Sequence, residues 1–152
     1  MKLPINILVI FATAIFAAGQ IESRRYEVEL IANPNPGGRD TREVNAVIIF
    51  EKDAVRIISR RNRQTFKLIK YAEIESVTHS YSKGPLANGN AASVVAALLV
   101  GPWWLIREDK HWLTIVAGDE FAVLKIENDN FRMLIPEFQI RGFDVTNVNE
   151  DK

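Results

Sequence analysis

From residue 26 to residue 126 the chain repeats one pattern, short runs of alternating or β-branched apolar positions bounded by turn-forming residues, which is the signature of consecutive β-strands. Tyr26-Glu27-Val28-Glu29-Leu30-Ile31 alternates and predicts a first strand, and Asn33-Pro34-Asn35-Pro36-Gly37-Gly38 is a loop by composition. Residues 44–50 predict a buried strand that reverses at Glu51-Lys52-Asp53 into a hairpin partner over 54–59. Arg60-Arg61-Asn62-Arg63-Gln64 is the next turn and 65–69 the next strand. Residues 71–77 then lead through a short turn into a strand ending near Tyr81, and 111–116 with 120–126 form a hairpin about Ala117-Gly118-Asp119. The period changes at the C-terminus, where Phe131, Leu134, Ile135 and Phe138 recur at helical spacing between an Asn128-Asp129 start and a Gly142 stop. Pro136 falls inside this helix and is expected to kink it or shift its start.

One stretch breaks the pattern. Residues 84–106 form an uncharged, largely apolar run whose strictly apolar core, 91–100, ends at Gly101-Pro102. A membrane span needs roughly 20 apolar residues, so the core is too short and Pro102 opposes its extension. The expectation is a helical excursion over about 90–100, a turn, and a return through Trp103-Trp104. Val94, Val95, Leu98, Leu99, Trp103 and Trp104 are the candidate membrane contacts, since tryptophan satisfies both its apolar ring and its N–H at a bilayer interface. Gly89, Ser93, Ala97 and Gly101 recur every four residues and form a small-residue stripe suited to close helix packing. The plain alternative is a helix folded back on the domain's own core.

The 152 residues are 47% hydrophobic and 25% charged, as expected of one folded domain. Lysine plus arginine and aspartate plus glutamate balance at 19 each, so no basic excess argues for nucleic acid. The absence of cysteine excludes disulfides, thiolate metal sites and cysteine nucleophiles. Lys2, the apolar run 5–18 and Ala17-Ala18-Gly19 predict an export signal over 1–19, followed by a single domain over 20–152. A periplasmic or cell-envelope location follows; an uncleaved anchor is the alternative.

Phe50-Glu51-Lys52-Asp53-Ala54-Val55-Arg56-Ile57, the segment Tyr71-Ala72-Glu73-Ile74-Glu75-Ser76-Val77 and the final helix resemble bacterial pleckstrin-homology-like or GRAM-like domains. Lys110-His111-Trp112-Leu113-Thr114-Ile115 and Asn130-Phe131-Arg132-Met133-Leu134-Ile135 are also similar to uncharacterised exported bacterial proteins with an apolar insertion. The resemblance covers residues 26–143. It implies a mainly β fold (α+β), an antiparallel sheet or barrel of about seven strands with a C-terminal helix, and a role in binding lipid headgroups, peptides or proteins.

Candidate chemistry is sparse. His79 and His111 lie in predicted strands without metal-ligand spacing and read as structural. No nucleophile elbow, phosphate-cradling glycine loop or zinc cluster is present in the sequence, and the reading is non-enzymatic, with no cofactor. Residues 54–72 contain no acid but hold Arg56, Arg60, Arg61, Arg63, Lys67 and Lys70, and Arg60, Arg61 and Arg63 are the candidate headgroup contacts at a lipid surface. The bland counterpart is a charged, solvated hairpin. The leading expectation is therefore a module that docks peripherally on a membrane. The alternatives are a homo-oligomeric assembly through the small-residue stripe and a carrier enclosing a lipid-like ligand.

Overall fold

The computed structural model describes residues 23–32, 42–86 and 108–148. Eight strands and one helix follow in order: β1 (Arg24–Ala32), β2 (Arg42–Phe50), β3 (Ala54–Ser59), β4 (Thr65–Lys70), β5 (Ser76–Ser82), β6 (Lys110–Ala117), β7 (Glu120–Ile126), α1 (Asn128–Ile140) and β8 (Val145–Val148), with a 3-10 turn at Tyr71–Glu73. The strands form one sheet in the order β4-β3-β2-β1-β7-β6-β5-β8. Two antiparallel meanders, β1 to β4 and β5 to β7, join where β1 pairs antiparallel with β7 through Glu29↔Lys125, Leu30↔Leu124 and Ile31↔Val123.

The mainly β class and the C-terminal helix hold as read from the sequence. The strand count and the purely antiparallel plan need correction: β8 is an eighth strand, it runs parallel to β5, and β4 and β8 are the two ends of an open pairing order. The sheet is nevertheless curled. Lys67 of β4 places its Nζ 5.8 Å from the Phe121 ring of β7, although the two strands are four places apart and about 19 Å would separate them in a flat sheet.

Period-two alternation decides which side chains form the core. Val28 and Leu30 of β1, Ala46, Ile48 and Phe50 of β2, Leu113 and Ile115 of β6 and Leu124 and Ile126 of β7 share one cluster with Leu134 and Phe138 of α1. Phe138 meets Phe50 edge to face at 5.0 Å, a geometry that adds to area burial. The opposite face is buried too along the second meander. Ile31, Trp112 and Val123 form a smaller cluster there, and Thr78, Ser80, Ser82 and Thr114 are each under 5% exposed.

Pro136 lies within α1 rather than at its start, so the expected shift of the helix start is not seen. The C-terminal stop at Gly142 is real: its φ of 88° allows Gly142 N–H to reach Gln139 O and Phe143 N–H to reach Phe138 O at 3.0 and 3.1 Å. These are the paired bonds of a Schellman cap.

Candidate functional site

The excursion leaves and re-enters the sheet at one point. Ser82, the last residue of β5, pairs with Lys110, the first of β6, so residues 83–109 are the connection of an antiparallel hairpin. The root is tied by side chains. Ser82 Oγ donates to Gly84 O at 2.5 Å, Leu86 N–H donates to Ser80 Oγ at 3.1 Å and the indole N–H of Trp112 donates to Ser82 O at 3.0 Å. Ser80, Ser82 and Trp112 are each 1% exposed, so these bonds are made away from water, where an unmade bond would cost ~1–3 kcal/mol. Nearby, Thr114 Oγ1 is buried without a hydrogen-bond partner.

Val94, Val95, Leu98, Leu99, Trp103 and Trp104, and the stripe Gly89, Ser93, Ala97 and Gly101, lie outside the described residues. No helix among the described residues is long and apolar enough to cross a membrane.

The basic hairpin is well defined. Ser59 Oγ accepts from the N–H groups of Arg61 and Asn62 at 3.3 and 3.4 Å, and Asn62 Oδ1 accepts from Gln64 N–H at 3.2 Å. Arg63 closes the turn with a φ of 57°, a left-handed conformation that costs an ordinary side chain about 1–2 kcal/mol. Arg60, Arg61 and Arg63 are all exposed, and Arg60 pairs with Glu27 at 3.1 Å. The rest of the basic run is largely engaged. Arg56 makes a two-pronged bond to Glu51 at 2.7 and 3.1 Å, and Lys70 meets Glu73 at 3.1 Å. Glu51 is held below the usual carboxylate range chiefly by the Arg56 hydrogen bond.

Following the strand pairs across the sheet, Asn45, Glu29, Lys125, Trp112 and Ser80 stand on one row, and Arg60 N–H donates to Asn45 O at 3.1 Å at one end of it. The Arg60 turn and the root of the excursion are therefore at the same level along the strands.

Three polar arrangements were not legible in the sequence. Glu137 of α1, 2% exposed, accepts from Arg24 at 2.6 Å, Tyr26 at 2.9 Å and Arg141 at 2.7 Å. Burial pushes its carboxyl upward, but these three donors outweigh burial and leave it below the ordinary value. Lys125 bridges Glu29 and Glu43; burial opposes its charge, and the two carboxylates more than restore it. The third arrangement is a ring stack. His79 Nδ1 lies 2.8 Å from Asn147 Oδ1, His79 Nε2 lies 3.0 Å from His111 Nδ1, and the Phe131 ring stacks on both imidazoles, with centroids 4.4 and 4.0 Å away. Among the described residues no group of three or more His, Asp or Glu side chains converges to hold a metal.

No family model matches the chain, and no curated protein matches it. Among solved structures it is similar to the hSac2 domain from human phosphoinositide phosphatase Sac2, with a TM-score of 0.44 and 10% identity over 87% of this chain and 80% of that one. Similarity of that degree carries no argument about activity or ligand.

Proposed function

We propose that the chain is a non-enzymatic, exported, pleckstrin-homology-like module that associates peripherally with a membrane through the apolar segment 84–106. The observation that carries the reading is the Ser82↔Lys110 pair. A hairpin held closed at its root sends its connection out and back on one side, so an apolar connection enters lipid as a loop or lies along the interface rather than crossing. The exposed Arg60, Arg61 and Arg63 turn, level with that root, supports a second, electrostatic contact with anionic headgroups, each cation near the surface contributing ~1 kcal/mol.

The test is flotation of the purified chain with vesicles of neutral phosphatidylcholine and of phosphatidylcholine mixed with phosphatidylserine. Replacing Trp103 and Trp104 by serine should lower the bound fraction on both by at least about tenfold, as expected from the apolar area removed. Changing Arg60, Arg61 and Arg63 to glutamine should lower it on anionic vesicles alone, and only at low salt. Wild-type chain that stays with the soluble fraction on both vesicle types sinks the proposal.

A further inference from the structure

The His79, His111, Phe131 and Asn147 cluster joins four elements at one place. His79 is on β5, His111 on β6, Phe131 in the first turn of α1 and Asn147 on β8. It therefore fastens the helix and the short edge strand to the hairpin that carries the apolar excursion. We propose that this cluster is a proton-sensitive latch, closed when both imidazoles are neutral and loosened between β5 and β6, at the root of the excursion, when the pair takes up protons at mildly acid pH.

The hydrogen-bond accounting supports it. With His79 Nδ1–H donating to Asn147 Oδ1, His79 Nε2 is left as an acceptor and His111 Nδ1–H donates to it, so a single proton occupies the 3.0 Å gap between the rings. A first added proton can reside on His111 Nε2 without breaking this chain, since His111 keeps its Nδ1–H. A second must go to His79 Nε2, where two N–H groups would face one another and two positive charges would share one stack. Relief comes by separating the two rings, which loosens β5 from β6, while His79 Nδ1–H keeps its bond to Asn147.

Among the described residues the surroundings offer no compensating anion. Tyr81 on β5 stacks beside His111 with centroids 4.7 Å apart, and across β6 and β7 His111 is paired with the apolar Ile126. On α1 the ring that faces both imidazoles is Phe131, and from β8 the partner is the uncharged Asn147. The charged side chains at this end of the sheet, Lys83, Glu108, Asp109, Lys110 and Glu127, line a cleft with Tyr81, and none of them bonds to either imidazole among the described hydrogen bonds and ion pairs. Burial pushes both imidazoles below the ordinary histidine value; the Asn147 bond partly offsets this at His79, and the neighbouring His79 adds to it at His111.

The sign follows. Groups whose folded pKa is depressed stabilise the closed form above the free-histidine value of about 6.5, and that stabilisation is lost as pH falls through the folded values. Because the rings interact directly, the pair titrates in two coupled steps. Each unit of depression corresponds to about a tenfold rise in the open population once the pH is below the folded values.

The end of the β5–β6 hairpin is suited to act as the moving part, since Tyr81↔His111 and Ser82↔Lys110 are its last pairs before the excursion.

Amide hydrogen exchange of the full chain at pH 7.5 and 5.0, corrected for intrinsic exchange chemistry, tests the latch. Protection over residues 80–82 and 110–112 should fall at least about tenfold at pH 5.0 while β2 and β3 keep theirs, and the loss should shrink in His79→Gln, which leaves His111 no second imidazole to face. Proton NMR titration of the wild-type imidazoles gives a second reading that does not depend on that variant folding, with both titrating below free histidine and in two coupled steps. Equal corrected protection at the two pH values, or two independent titrations near 6.5, would overturn the proposal.

Discussion

Glu137 concentrates more of the tertiary structure than any other polar side chain described. Its carboxylate joins α1 to the start of β1 through Arg24 and Tyr26 and to the helix end through Arg141. Arg141 in turn lies over the Phe50 and Tyr71 rings at 4.8 and 5.6 Å. Removing the charge while keeping the shape, as in Glu137→Gln, should cost about 2 kcal/mol near neutral pH, because buried hydrogen-bond donors lose their ionic acceptor. The carboxyl's folded pKa is depressed, so this contribution is present above about 4.5 and disappears as pH falls through the folded value. Urea denaturation of wild type and variant at pH 7 and pH 3 should show a gap at the first and a smaller one at the second. A gap of the same size at both would assign the effect to packing.

Sequence alone did not reveal this acid. Arg24 is 113 residues away and Tyr26 is 111, and no local pattern marks a charge that will be buried by a fold made of distant strands. His79 and His111 were read as structural, correctly as to their place in strands. Their mutual hydrogen bond depends on β5 and β6 pairing around 27 intervening residues, which hydropathy does not encode.

Among the elements, the strands with clear alternation or a dense β-branched core were legible to within a few residues, as was the turn containing Arg63. β8 was not, since Val145-Thr146-Asn147-Val148 is too short for alternation to be recognised and draws its stability from parallel pairing with β5. α1 followed from the spacing of Phe131, Leu134, Ile135 and Phe138, and it runs through Pro136 because that residue sits on the exposed side while Leu134 and Phe138 anchor the helix in the core. Pro136 still deprives Arg132 O of its N–H partner. Replacement by alanine should therefore raise stability by about 1–3 kcal/mol, read as an increased urea midpoint at constant slope. A lower midpoint would mean that the packing of Leu134 and Phe138 relies on the backbone shape proline imposes.

At the scale of the whole molecule, hairpin closure at Ser82 and Lys110 makes a topological statement that can be checked in cells. Lys83 and Asp109 are both exposed and flank the excursion, and the chain has no native cysteine. Single cysteines at these two positions should react alike with a membrane-impermeant maleimide on intact cells. Reaction at one and protection at the other would place β1 to β5 and β6 to β8 on opposite sides of a bilayer and contradict the sheet. The apolar character of 84–106 was plain in the sequence; that its two ends meet was inferable only once the flanking strands were assumed to pair.

The seam between β1 and β7 also sets a timetable. The first meander and the β6–β7 hairpin close through connections shorter than the 27 residues between β5 and β6, whereas Glu29 must find Lys125 across nearly the whole domain. In chain-closure terms that search costs roughly 3 kcal/mol more entropy than a four-residue turn. Contacts of such separation slow folding. β1, synthesised first, thus keeps one edge unpaired until β7 has been made, and the Leu30 and Ile31 side chains wait for Leu124 and Val123. That long-range pairing is the one expected to slow the approach to the native state, and the interval before it is when a partner chain or chaperone has access to the edge.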